Sequence, residues 1–295
     1  MRRHGAVVGI SGGVDSSVVL ELAARAFGPE RVAALLLPER ESSPESERLA
    51  REAAQHAGVT PLREDMTPAL EGFGCYRRRD EAIRRVFPAY APEAGDRARI
   101  TLPNDLLERD GFNLFSLTVV GRDGEAASRT PGRAEVLQTV AASNFKQRAR
   151  MAMLYYHAES KHFAVVGTAN RNEYGQGFFV KFGDGGADVQ PIVHLYKTQV
   201  YALAEFLGVP EEIRRRLPTS DTWAAGSTQE EFFFRLPFAT MDVLWSAQER
   251  SVPVEEVARE TGLALEQVRR AFRDFERKRR TTEYLRLPPA ALGPS

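Results

Sequence analysis

Residues 11–17 read Ser-Gly-Gly-Val-Asp-Ser-Ser, a set of types and an order suited to holding a polyphosphate. Gly12 and Gly13 permit backbone angles that side chains forbid and let a ligand approach the main chain. Ser11, Ser16 and Ser17 bring hydroxyls to the start of a helix, where free amides and the helix dipole favour an anion. Asp15 is the odd member, because a carboxylate beside bound phosphates repels them unless a cation lies between. Mg²⁺ is commonly held by one or two carboxylates plus substrate phosphates, so Asp15 reads as a Mg²⁺ ligand. The alternative is a helix N-terminal carboxylate that only complements the dipole.

Further along, Thr168, Asn170 and Glu173 follow an apolar run at 163–166. In open parallel sheets ligands sit outside the carboxyl ends of the strands, which would put these residues on the same rim as Asp15. Glu173 then either completes the Mg²⁺ site or is an exposed loop glutamate. Lys181 stands between Val180 and Phe182. It either snorkels to water or reaches a ligand held at that rim. Lys197 opens a helical pattern that runs to Leu207. A cation is unfavourable at a helix N-terminus, so an exposed Lys197 with an anionic partner, such as a phosphate, is expected. The stretch 218–234, polar and then aromatic, reads as a mobile loop leading to a buried anchor.

The elements that must position these groups follow from hydrophobic pattern. The continuous apolar runs at 6–10 and 32–37 suit strands buried on both faces. A helix over 16–26, ended by Gly28-Pro29, links them in a β-α-β unit. A charged helix at 45–57 and an extended segment at 59–64 continue the pattern. The fold class predicted is α/β, a doubly wound, mostly parallel five-stranded sheet. Residues 74–133 read as an insertion, carrying a hairpin from 112–120 and 125–128 across a glycine turn. Its cluster Arg77, Arg78 and Arg79 reads as a solvated helix face. A helix over 141–160 carries Asn144, Arg148 and Arg150. A domain of 1–250 is then expected to bear a helical extension at 251–295, with helices at 254–260 and 265–275. That pair resembles a helix-turn-helix, and Arg-Lys-Arg-Arg at 277–280 could suggest DNA.

Composition argues against some of these roles. The 295 residues carry Lys+Arg 40 against Asp+Glu 40, so a broad basic field for nucleic acid is absent. Cys75 is the only cysteine, which excludes an internal disulfide, a thiolate metal cluster and cysteine-pair sulfur transfer, and suits the cytoplasm. No apolar run reaches membrane-spanning length.

The loop at 11–17 lacks the Gly-Lys-Ser/Thr ending of a Walker loop. It resembles the SGGxDS pyrophosphate loop of enzymes that split ATP between its α- and β-phosphates. LPERESSPES at 37–46, NFKQRARM at 144–151, VVGTANRNE at 165–173, KFGDGGAD at 181–188 and LYKTQV at 195–200, in this order, resemble NAD synthetases. The resemblance implies an adenine nucleotide alpha hydrolase-like fold, a homodimer, and ATP-dependent amidation of deamido-NAD by ammonia through an acyl-adenylate. It assigns ATP and pyrophosphate to Ser11, Gly12, Gly13, Asp15, Ser16, Ser17, Thr168, Lys197 and Thr219. Mg²⁺ falls to Asp15 and Glu173, and the dinucleotide to Arg148, Lys181, Asp184 and Asp188. Lys197, Thr219 and Lys181 would serve the transferring centre. The insertion, and the run TQEEFFF at 228–234 in place of a more acidic one, depart from the family pattern. They leave open an amide-forming enzyme acting on a different carboxylic acid. The absence of a glutamine-hydrolysing segment implies free ammonia or a separate ammonia-supplying subunit. A nucleic-acid-modifying protein and a nucleotide sensor are the readings from other classes.

Overall fold

In the computed structural model, residues 2–102, 105–108, 115–219, 223, 225 and 228–291 are described. Among them the strands are β1 (Ala6–Gly9), β2 (Val32–Leu36), β3 (Leu62–Arg63), β4 (Arg97–Thr101), β5 (Ser116–Val120), β6 (Ala126–Arg129) and β7 (Ala164–Val166). The helices are α1 (Val14–Phe27), α2 (Pro44–His56), α3 (Thr67–Gly72), α4 (Cys75–Val86), α5 (Arg133–Lys161), α6 (Arg171–Gln176), α7 (Lys197–Leu207), α8 (Glu211–Arg215), α9 (Phe238–Glu249), α10 (Val254–Thr261) and α11 (Leu265–Thr281).

The main sheet has the order β3-β2-β1-β7, with every pairing parallel. Val7 lies opposite Ala33 on one side and Val165 on the other. Successive side chains of a strand point to opposite faces. Ala6 and Val8 therefore join a core with α1, α2 and α7, while Val7, Ala33 and Leu35 join a second core with α3, α4 and α5. That two-sided burial is why β1 and β2 read as unbroken apolar runs.

The sheet has four strands where five were expected. Val189 makes a single parallel bridge to Val166 at the fifth position. The glycine-rich turn at 183–186 and Pro191 flank this position and leave no run long enough for a strand.

The middle segment holds an antiparallel sheet of order β4-β5-β6. The expected hairpin is β5–β6, turning at Gly124 with φ 86°. Residues 109–114, which include the start of the expected first strand, lie outside those described. Strand β4 was not foreseen. The basic cluster on α4 also differs from expectation, because Arg79 is 2% exposed and pairs with Glu41 and Asp80.

Helix α5 extends over 29 residues and starts ahead of the predicted position 141. Helices α9, α10 and α11 bury Phe238, Trp245, Val257, Val268 and Phe275 together. Helix α11 runs past the predicted end at 275 and absorbs the 277–280 basic run. Lys278 is buried there, paired with Asp274 at 2.8 Å and donating to the Phe233 carbonyl at 2.9 Å. It is thus withdrawn from any basic surface.

Candidate active site

The turn after β1 is shaped by its two glycines in different ways. Gly12 has φ +74°, and a Cβ there would lie 2.5 Å from the Ser46 carbonyl oxygen and 2.8 Å from the Leu49 Cβ. Its missing side chain admits the first turns of α2. Gly13 is the N-cap of α1 in extended conformation, with φ -92° and ψ 159°. The Ser16 and Ser17 hydroxyls both donate to the Gly13 carbonyl, at 3.0 and 2.9 Å. Helix α1 thus begins at Val14, two residues before the predicted start, and the serines occupy its first turn.

Outside the carboxyl ends of β1 and β7 opens a cleft of about 860 Å³. Ser11, Gly13, Asp15, Ser16, Thr168, Glu173, Lys197 and Thr219 line it, together with Arg148, Lys181 and Asp184. A volume of this size suits a nucleotide-sized ligand. Gly12 and Ser17 do not line it: the first packs on α2 and the second is buried under the loop. Asp188 also points elsewhere. Its Oδ2 accepts from the Val165 amide at 2.9 Å and its Oδ1 from the Tyr155 hydroxyl, so it fastens the edge of β7.

At the centre of the rim, Lys197 Nζ donates to Asp15 Oδ2, and Asn170 Nδ2 donates to Asp15 Oδ1 at 2.9 Å. Lys197 is 0% exposed, contrary to the exposed helix start that was expected, and its anionic partner here is Asp15. Burial works against its charge, but the carboxylates of Asp15 and Glu173 more than offset this and raise its pKa. Lys197 therefore stays an ammonium. Glu173 belongs to the first turn of α6, where it and Asn170 form a reciprocal cap. Its Oε2 accepts from the Asn170 amide at 3.1 Å and its Oε1 from Gln229 Nε2 at 3.0 Å. Burial, then the negative charge of Asp15, pushes the Glu173 carboxyl well above the usual carboxylate range. Two oxygen donors that repel one another beside a phosphate-sized space have the chemistry of a Mg²⁺ site. No group of three or more His, Cys, Asp or Glu suited to a metal occurs among the described residues.

The side chains that the resemblance assigns to the dinucleotide are held by the chain itself. Lys181 Nζ donates to the carbonyls of Tyr284 and Leu287 at 3.0 and 2.7 Å. Arg148 Nε donates to the Lys181 carbonyl at 3.2 Å. The Asp184 carboxylate accepts from the Val180 amide at 2.8 Å. Sequence reasoning missed Arg216, whose Nη2 donates to Ser46 Oγ at 2.7 Å on the lining of the cleft. Its signal was the arginine run at 214–216, just ahead of Thr219.

A model of the NAD synthase family matches residues 1–86 and 122–289. The NH(3)-dependent NAD(+) synthetase of Rhizobium meliloti is 48% identical over 294 residues, covering 100% of this chain and 87% of that protein. The chain belongs to the NAD synthase family. A relative of the same name from Thermotoga neapolitana is 38% identical over 94% of this chain and 88% of its own length. The fold is shared with the NH3-dependent NAD synthetase of Campylobacter jejuni, at TM-score 0.62, 20% identity and coverage of 99% of this chain and 91% of that one. NMN synthetase from Francisella tularensis shares it too, at TM-score 0.59, 23% identity and coverage of 99% and 90%. The family match omits 87–121, the segment holding β4 and β5, yet Ile100 and Phe115 from it line the cleft.

Proposed function

We propose that this member of the NAD synthase family amidates deamido-NAD with ammonia at the expense of ATP. The observation that carries the reading is the Asp15–Lys197 pair, set with Glu173 and the start of α1 on one cleft rim. A carboxylate oxygen of the acid attacks the α-phosphorus and the bond to the β-phosphate breaks, giving an acyl-adenylate and pyrophosphate. Ammonia then attacks the acyl carbon, AMP leaves with the bonding electron pair, and the nitrogen loses a proton.

Ser11, Ser16 and the amides at the start of α1 hold the pyrophosphate portion. Lys197 and Thr219 neutralise and hydrogen-bond the phosphates around the transferring centre, with Thr168 on the ATP. Asp15 and Glu173 would hold Mg²⁺, whose chemistry is to screen phosphate charge and orient the leaving group. Arg148, Lys181 and Asp184 serve the dinucleotide side. No side chain acts as a covalent nucleophile, so the catalytic contribution is positioning and charge neutralisation.

The enzyme works as a homodimer in the cytoplasm, taking free ammonia or ammonia from a separate subunit. The test is an assay with ATP, Mg²⁺, ammonium and deamido-NAD that follows both pyrophosphate and NAD. Stoichiometric release of the two is expected, and pyrophosphate at background would overturn the reading. A second reading, amidation of a different carboxylic acid, draws on the lining of the cleft by Ile100 and Phe115, from a segment that the family model skips but the 48% identical relative spans. Turnover with another carboxylic acid but not with deamido-NAD would establish it.

A further inference from the structure

The amino end of α7 is satisfied by side chains from two other helices. Lys197 N donates to Asn172 Oδ1 of α6 at 2.9 Å, and Thr198 N donates to Asp242 Oδ2 of α9 at 2.8 Å. Asn172 Nδ2 donates to Asp242 Oδ1, so the two acceptors are themselves joined. Three of the four members are buried, Asn172 at 0%, Lys197 at 0% and Asp242 at 5% exposed, while the Thr198 residue itself is exposed. The first N–H groups of a helix have no intrahelical partner, and buried they must find one.

Electrostatics explains the choice of an acid. Lys197 puts a cation at the positive end of α7, where the dipole repels it. The Asp242 carboxylate, placed against the Thr198 amide, supplies the compensating negative charge. Helix α6 brackets the catalytic pair from both sides, since Asn170 holds Asp15 while Asn172 holds the main chain of Lys197. The ammonium is thereby anchored at its backbone as well as at its tip.

We propose that Asn172 and Asp242 form a buried clamp that fixes Lys197 against the phosphates, with Asp242 a positioning residue that ties the C-terminal helices to the site. The proposal rests on the assignment of Lys197 to the phosphates of ATP.

The hydrogen-bond polarity supplies a test by exchange. In Asp242→Asn a second amide faces Asn172, and whichever way either amide turns, one donor meets another donor. In the double variant Asn172→Asp, Asp242→Asn the polarity reverses and every partner is restored. Asp242→Asn should lower kcat at least about tenfold while KM for deamido-NAD stays within about twofold, as misplacement of a phosphate-facing group requires. ATP affinity, measured by calorimetry without acid substrate, should weaken in the same variant. The double variant should recover both.

Wild-type kcat and wild-type ATP affinity in folded Asp242→Asn would overturn the clamp. So would a double variant that melts like the wild type and shows no recovery. If Asp242→Asn fails to fold, recovery in the double variant decides the matter. A wild-type protein that makes no NAD but shows the predicted pattern of ATP affinities would sink the amidation reading and leave the clamp standing.

Discussion

Gly12 and Gly13 are adjacent and chemically identical, yet the structure gives them opposite duties that alanine substitution should separate. At Gly12 an added Cβ would lie 2.5 Å from the Ser46 carbonyl, 2.8 Å from the Leu49 Cβ and 2.9 Å from the Ala50 amide, at φ +74°. The left-handed backbone costs a residue with a side chain roughly 1–2 kcal/mol. Forcing a methyl group against the main chain of a packed helix costs roughly another 1–3 kcal/mol. Gly12→Ala is therefore expected to lose about 3 kcal/mol of stability. At Gly13 the added Cβ meets only Ser11 Oγ, at 3.4 Å, on an extended backbone. The loss there is at most about 1 kcal/mol, the difference between glycine and alanine at an N-cap. Gly13 lines the cleft, however, so its methyl group would stand where the proposed function brings a phosphate to the amides. Urea unfolding should rank Gly12→Ala well below Gly13→Ala, which itself stays near the wild type. Pyrophosphate release from folded Gly13→Ala should nonetheless fall at least about tenfold. A Gly12→Ala protein within about 1 kcal/mol of the wild type would refute the packing assigned to Gly12.

Three further perturbations address the charges. Lys197→Met strips Asp15 of its ammonium partner and leaves Asp15 and Glu173 facing each other. Turnover should drop at least about 100-fold, and a loss of only about threefold would remove Lys197 from the transferring centre. Chelation of divalent cations should bring pyrophosphate release to background and added Mg²⁺ restore it; activity undiminished in chelator would contradict the roles given to Asp15 and Glu173. Away from the cleft, burial is the largest influence on Glu41 and raises its pKa. The hydrogen bond from Arg79 and the charges of Lys146 and Arg79 together overcome this and lower it from 4.5 to about 2. A depressed native pKa stabilises above the unfolded value, and that stability is lost as pH falls from about 4.5 towards 2. Glu41→Gln should be less stable than the wild type by about 3 kcal/mol at neutral pH, with the gap closing through that acid window. Parallel acid limbs in urea unfolding would show the assignment to be wrong.

The parts legible in the sequence are those whose causes are local. Val7 and Val8 lie in a run that only a doubly covered strand explains, and the paired glycines mark where it must end. Parallel connectivity then put the 11–17 loop and the segment after β7 on one rim. Burial decided by distant chain could not be read in this way. Lys197 looked exposed because it opens a helix, and it is α6 and α9, contributing Asn172 and Asp242, that enclose it. Arg79 sits beside two solvated arginines and differs only in facing Glu41, a residue 38 positions away. Gly12 resembled a phosphate contact because nothing nearby announces the approach of α2.

The middle segment was opaque for another reason. Strand β4 alternates Arg97, Ala98, Arg99, Ile100 and Thr101, and the pattern makes sense only against β5, in which Leu117 pairs with Ile100 and Val119 with Ala98. Ala98, Ile100, Leu117 and Val119 are all buried, in a core of their own with Ile83, Phe87 and Trp223. This core is separate from the two that flank the parallel sheet, and the family model skips 87–121, the part that holds β4 and β5. Its position is nonetheless tied to the cleft, because Ile100, Phe115 and Trp223 reach the lining alongside Thr219. A wall built from a separate core can change shape without altering the Asp15–Lys197 pair. If this wall contacts the acid and the Asp15–Lys197 pair activates it, as proposed above, substitutions at Ile100 or Phe115 should act on KM before they act on kcat.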